Sequence, residues 1–124
     1  MYLPILLACL ITMMMWLPYL QLTVILSGDP KSDNRTTPAW ARRLQQAHYN
    51  AVENLPLFIG VCLVAEFTQS STPLMISAAM MYCIVRVAHY VFYALGIPFL
   101  RTIAFMIGWL STLYIGAMTL INIT

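Results

Sequence analysis

Four long apolar stretches fill almost all of this chain, and they limit its possible folds more than any other feature. They cover residues 3–26, 39–67, 74–95 and 99–123, and only the second has a polar first half. About 20 apolar residues are enough for a helix to cross a bilayer. Because only 8% of the 124 residues are charged, the chain has too few charged side chains to cover the surface of a soluble domain. The sequence therefore predicts one all-α membrane domain over residues 1–124, a bundle of four transmembrane helices.

Residues that break or cap helices mark the predicted boundaries. The connections are rich in Gly, Pro, Ser and Thr and cover residues 28–37, 68–73 and 96–98. Pro18 predicts a kink within the first helix. Thr37 and Pro38 predict the start of the second helix, with Thr37 as the cap and Pro38 at the first helical position.

The basic residues predict the orientation of the chain. Five of the six lie in the first connection, flank it, or follow the third connection: Lys31, Arg35, Arg42, Arg43 and Arg101. By the positive-inside rule these two connections face the cytoplasm, and both termini lie on the opposite side. The net charge of +2 comes from this cluster, and no pattern of nucleic-acid binding accompanies it.

Polar residues recur at helical spacing inside three of the predicted spans. The second helix has a stripe at steps of three and four, formed by Arg43, Gln46, Asn50 and Glu53. The third helix has a similar stripe, formed by Tyr82, Arg86, His89 and Tyr93. The fourth helix begins with Arg101 and Thr102. Both stripes run from the predicted cytoplasmic side to mid-membrane, so they can line one polar cavity that is open on one side.

The matching depth of Glu53 and Arg86 predicts an ion pair between the second and third helices. A charged group at membrane depth costs roughly 2.5–3.5 kcal/mol on insertion scales, and an opposite charge offsets that cost. A buried interhelical pair with no further role is the alternative interpretation. The additional polar residues of the stripes favour a binding cavity instead.

The cysteines and the second histidine carry weaker signals. Cys9, Cys62 and Cys83 fall in three different apolar stretches without metal-ligand spacing, which favours small buried side chains and predicts no metal site. His48 lies off the polar stripe of its helix, which favours a packing role.

Two segments resemble a known family of membrane proteins. RRLQQAHYNAVENLPLF over residues 42–58 and RVAHYVFYALGIPFLR over residues 86–101 are similar to the helix-two and helix-three signatures of the MAPEG superfamily, the membrane-associated proteins in eicosanoid and glutathione metabolism. Spacing, length and the four-span layout fit along the whole chain. Within the superfamily, the segments look most like the microsomal glutathione transferase and prostaglandin E synthase types.

The resemblance implies a homotrimer that binds glutathione as co-substrate between neighbouring subunits. By motif position, the glutathione-binding residues would be Gln46, Asn50, Glu53, Arg86, His89 and Tyr93. Arg101 would lie near the thiol, and Thr102 stands where some members have serine. A cation or hydroxyl beside the sulfur stabilises the thiolate, which is the nucleophile.

Three functions remain open at this point. The first is a glutathione-dependent transferase or peroxidase that acts on lipophilic electrophiles. The second is a non-catalytic bundle that binds a lipid or a protein partner; Gln46 and Tyr49 favour it, since they stand where glutathione-binding members usually carry basic residues. The third is a small transporter or channel, against which the one-sided polar cavity argues.

Overall fold

The computed structural model describes residues 1–20 and 38–124, and these residues form a bundle of helices. Within them, four helices are long and apolar enough to cross a membrane. We number them in chain order: α1 Tyr2–Met15, α2 Ala39–Phe67, α3 Pro73–Leu95 and α4 Pro98–Ile123. The prediction of an all-helical protein with four spans is therefore confirmed.

The ends of α3 follow directly from local chemistry. The side chain of Thr72 accepts a hydrogen bond from the Met75 N–H at 3.3 Å, and Pro73 occupies the first helical position. Gly96 ends the helix in the left-handed conformation, with a φ of 72° that favours glycine. The turn to α4 therefore takes only two residues, Gly96 and Ile97.

The start of α2 differs from the prediction. The helix begins at Ala39, and Pro38 is the extended N-cap residue rather than the first helical position. The cap predicted at Thr37 and the first connection, residues 28–37, lie outside the described residues.

The first span is interrupted near the predicted kink. α1 ends at Met15, Trp16 forms a turn, and residues 17–20 are helical again. Because Pro18 has no N–H, it cannot donate to the carbonyl four residues earlier. The disturbance therefore begins within one helical turn before Pro18.

Contacts between the helices establish the direction in which each one runs. The Tyr90 hydroxyl donates to the Met15 carbonyl at 2.6 Å, and the Cys83 thiol donates to the Pro4 carbonyl at 3.3 Å, so α1 and α3 run in the same direction. At one end, Glu66 of α2 lies 3.0 Å from the Met1 amino group. Arg43 meets the last turn of α3 at the opposite end, which we call the basic end. The Asn122 amide near the end of α4 donates to the Ser70 carbonyl just before α3 at 3.1 Å, so the four helices alternate in direction along the chain.

The core lies where α2 and α3 cross. The rings of Phe58 and Tyr82 stack with their centroids 3.8 Å apart and an angle of 4° between their planes. Both side chains are almost completely buried, as are Cys62 and Met75 beside them. Cys83 is also buried, so Cys62 and Cys83 have the buried positions that were predicted, whereas Cys9 is only half-buried.

Small residues let α4 approach its neighbours closely. A Cβ at Gly108 would lie 3.3 Å from a methyl group of Val85, and one at Gly116 would lie 3.3 Å from a methyl group of Val61. A Cβ at Gly60 would meet no atom within 4 Å. Close contact through small residues is a common way for helices to associate in membranes.

We predict that Gly108→Val destabilises the bundle by about 1–3 kcal/mol, because the added methyl groups would overpack the contact with α3. Thermal unfolding in detergent, followed by circular dichroism, measures the loss. Gly60→Val is the matched control, and it should leave the unfolding temperature nearly unchanged. Valine has a higher helix propensity than glycine, so neither variant should lose stability for that reason. An equal loss in both would contradict the assignment of the effect to the contact between α3 and α4.

Candidate functional site

Arg86 lies at the centre of the candidate site. Its side chain is only 4% exposed, and its Nη1 donates to Oδ1 of Asn50 at 3.0 Å. The guanidinium carbon lies 4.8 Å from the ring centroid of Tyr82 and 5.7 Å from that of Phe105. Such contacts with aromatic faces favour a cation. The structure thus brings together the polar stripes of α2 and α3.

Two nitrogen atoms of Arg86 remain without a partner. Nε and Nη2 are buried, and neither donates a hydrogen bond to any of the residues that the structure describes. A buried donor without a partner costs about 1–3 kcal/mol, and a charged one costs more. One amide oxygen and two rings do not balance a buried guanidinium. The arrangement therefore fits a ligand with anionic oxygen atoms. Arginine binds such groups well, and carboxylate is a common example.

The other polar residues of α3 extend this site toward the basic end. His89 is buried, with its ring centroid 5.5 Å from that of Tyr93 and 6.2 Å from that of Phe105. The guanidinium carbon of Arg101 lies 4.5 Å from the centroid of the Tyr93 ring. A chain of contacts therefore joins Arg86 to Arg101, with aromatic rings between the two cations.

Three predicted site residues lie outside this chain of contacts. Gln46, Glu53 and Thr102 are all exposed on the single chain. The hydroxyl of Thr102 donates to the carbonyl of Pro98 at 2.9 Å, within its own helix. The structure thus places five of the predicted residues in contact with one another, namely Asn50, Arg86, His89, Tyr93 and Arg101, through the rings and hydrogen bonds described above.

The predicted ion pair between Glu53 and Arg86 is wrong for the described chain. Arg86 bonds to Asn50 instead, and Glu53 faces outward. Among residues 1–20 and 38–124, the only ion pair joins the Met1 amino group and Glu66. The physical reason is the rotation along α2: Asn50 meets α3, while Glu53, three positions later, lies about 60° further around the helix and is exposed.

Sequence reasoning missed an interaction that fixes α3 against α2. Nε and Nη2 of Arg43 donate to the carbonyl of Ala94 at 3.2 and 3.1 Å. The bond between Asn50 and Arg86 is a second tie between the same helices, about two turns deeper. The carbonyl groups in the last turn of a helix lack helical partners, and basic side chains often bind them. The predicted end of the third helix therefore could have indicated a partner such as Arg43.

His48 has the packing role that its position predicted. Its Nδ1 lies 2.8 Å from the hydroxyl of Tyr19, so it joins α2 to the residues that follow α1. This pair borders a groove of about 550 Å³ between the two helices. Within the described residues, no group of three His, Cys, Asp or Glu side chains is placed to hold a metal ion.

An apolar groove between α2 and α4 begins next to the polar site. Its volume is about 440 Å³, and its lining includes Asn54 and Thr112. Asn54 lies one helical turn from Asn50, and Thr112 lies one turn from Gly108, which packs against Arg86. The Asn54 amide donates to the Asn50 carbonyl and the Thr112 hydroxyl to the Gly108 carbonyl, so both have internal acceptors. Such a groove suits an apolar molecule.

These features define an integral, multi-pass membrane protein with a buried cationic site. The family model described as MAPEG family matches residues 2–121. The chain therefore belongs to the MAPEG family, in agreement with the resemblance of its two signature segments. No curated protein and no solved structure matches the chain.

Proposed function

We propose that this protein is a glutathione-dependent transferase or peroxidase that acts on lipophilic electrophiles in the membrane. The observation that carries the proposal is buried Arg86, with two N–H-bearing nitrogens that have no partner among the described residues. Membership of the MAPEG family is consistent with a glutathione-related or eicosanoid-related function. We further propose that the activity is of the glutathione transferase type.

Glutathione fits the residues around Arg86 by charge. It carries two carboxylates, an amino group and a thiol. Arg86 offers unused donors to a carboxylate and has Asn50 beside it. His89 and Tyr93 lie about one and two turns further along α3. Glu53 is exposed one turn from Asn50 and supplies an acceptor for the amino group, while Gln46 supplies an amide nearer the basic end.

Arg101 has the position and charge to favour the thiolate. It is half-buried, and it lies over the Tyr93 ring without an ion pair among the described residues. When bound, glutathione supplies a thiolate. In the transferase reaction the sulfur forms a C–S bond while the leaving group departs with its electron pair. In the peroxidase reaction the sulfur takes one peroxide oxygen as the O–O bond breaks, the other oxygen leaves as an alkoxide that is protonated to the alcohol, and a second glutathione converts the sulfenic acid to the disulfide and water. A guanidinium beside the sulfur stabilises the negative charge, and Thr102 stands next to it in the sequence. The apolar groove between α2 and α4 admits the lipophilic substrate from the bilayer.

A homotrimer is part of this proposal. Gln46, Glu53 and Thr102 are exposed on a single chain although they lie in membrane-spanning segments. Polar groups that face lipid are costly, so a neighbouring copy that covers them would complete the site. The cytoplasmic orientation of the basic end remains a prediction from the positive-inside rule.

A second candidate function is a non-catalytic bundle that binds a lipid or a protein. Two observations favour it. Gln46 stands where a basic residue is usual in members that bind glutathione, and the Thr102 hydroxyl already donates to the Pro98 carbonyl. Arg43 does not replace the missing basic residue in the described chain, because it bonds to the end of α3.

Titration with glutathione distinguishes the two candidates. We expect the purified protein in detergent to show saturable ultraviolet absorbance of the thiolate, and Arg101→Ala to reduce its amplitude about tenfold, since about 1.4 kcal/mol of thiolate stabilisation corresponds to that factor. Arg42→Ala is the matched control, because Arg42 is an exposed arginine at the same end. Absence of binding at millimolar glutathione would overturn the transferase proposal in favour of the non-catalytic one.

A further inference from the structure

The basic end of the bundle carries an exposed apolar turn beside arginines. The turn joins α3 to α4, and its exposed large apolar side chains are Leu95, Ile97, Phe99 and Leu100. The arginines at the same end are Arg42, Arg43 and Arg101. The proposed glutathione site explains Arg101, but it explains neither the other two arginines nor the apolar turn.

Arg43 is held in place beside this turn. Its Nε and Nη2 donate to the Ala94 carbonyl, and its guanidinium carbon lies 3.6 Å from the position of a Cβ on Gly96. A guanidinium has five N–H donors, so the Nη1 donors remain available. The side chain is half-buried, which keeps these donors near the surface.

The charge at this end is positive and unbalanced within the described residues. The acidic side chains among the described residues are Glu53 and Glu66, and neither lies at this end. Glu53 lies ten positions after Arg43 on α2, about 15 Å along the helix, and Glu66 is at the opposite end. By sequence, residues 21–37 contain two acidic and two basic residues, so they add no net charge.

We propose that this end binds an anionic membrane phospholipid, with its phosphate on Arg42 and Arg43 and an acyl chain against the turn at Phe99. Guanidinium groups bind phosphate through parallel hydrogen bonds, and basic residues at a membrane surface attract anionic lipids. A soluble anion would satisfy the arginines but leave the apolar turn uncovered. A lipid satisfies both, because its headgroup and chain meet at the depth where a span ends.

Lipid retention tests this inference independently of glutathione. Delipidated protein in detergent is mixed with equal amounts of phosphatidylglycerol and phosphatidylcholine that carry the same acyl chains, and the lipids that remain bound after repurification are quantified. We expect phosphatidylglycerol to be enriched roughly 25-fold on the wild type, since each of the two arginines contributes about a factor of five. Arg42→Gln should lower the enrichment about fivefold, and adding Arg43→Gln should abolish it. Because Arg42 is exposed and forms no ion pair in the described chain, Arg42→Gln tests the proposal even if the double variant fails to fold.

The chain offers a matched control for the apolar half of the site. Phe99 is 72% exposed at the basic end, and Phe67 is 75% exposed at the other end. We expect Phe99→Ser to lower the amount of bound phosphatidylglycerol and Phe67→Ser to leave it unchanged. Equal retention of both lipids by the wild type would overturn the proposal. So would an enrichment that survives Arg42→Gln, or equal losses in the two phenylalanine variants.

Discussion

Arg86→Met is expected to weaken glutathione binding by about 100-fold or more while the bundle stays folded. Methionine has a similar length but no charge, so the anionic groups of the ligand lose their buried partner. Truncating one member of a buried charge pair typically costs 2–5 kcal/mol of binding free energy, which corresponds to roughly 30-fold to several thousand-fold. Isothermal titration with glutathione measures the change directly.

The stability of the same variant separates a binding role from a structural one. Without a ligand, Arg86 makes one hydrogen bond to the described residues, from Nη1 to Asn50, and its Nε and Nη2 have no partner among them. Replacing such a group by an apolar one relieves unsatisfied donors, which offsets the loss of the Asn50 bond. We therefore expect the unfolding temperature to change by only a few degrees. Collapse of the bundle in Arg86→Met would contradict the binding role, and Arg86→Lys would then show whether charge alone restores the fold.

Phe58→Ala is expected to cause the largest loss of stability of any prediction made for this chain, about 3–5 kcal/mol. Phe58 is completely buried and stacks face to face on Tyr82, so truncation removes its ring and leaves a cavity between α2 and α3. Lipid is as apolar as the core, so the loss comes mainly from packing rather than from water exclusion. Unfolding in mixed micelles of a mild and a denaturing detergent measures the free energy.

Phe67→Ala is the matched control for this loss. The substitution is chemically identical, and Phe67 lies on the same helix, but its side chain is 75% exposed. We expect a change within about 0.5 kcal/mol. A comparable loss in both variants would show that the helix itself, and not the stack with Tyr82, responds to the substitution.

Sequence reasoning could establish the spans because hydropathy and helix-breaking residues are local signals. Four apolar stretches gave the four helices, and Pro73, Gly96 and Pro98 marked boundaries to within a residue or two. Pro38 shows the limit of this precision. Proline favours the first helical position, yet here it is the N-cap residue, because a boundary shift of one residue depends on backbone angles that composition does not fix.

The site could be predicted only as far as helical spacing allows. Periodicity assigned Asn50 and Glu53 to one stripe, but a stripe spans more than 60° of the helix surface. Which of the two meets Arg86 depends on how α2 is rotated against α3. That rotation follows from packing, above all from the stack of Phe58 on Tyr82. Nothing in the sequence indicates that Phe58 and Tyr82 stack on each other.

Tyr82 belongs to the core and to the site at once, since it stacks on Phe58 and also lies under the Arg86 guanidinium. Any molecule that pairs with Arg86 therefore stabilises a contact through which α2 and α3 are held together. A ligand that binds only the folded bundle raises its free energy of unfolding by RT ln(1 + L/Kd), where L is the free ligand concentration. The melting temperature of this protein can thus serve as a sensor of site occupancy. A library of anionic and lipophilic compounds could be ranked by thermal shift before any reaction is known.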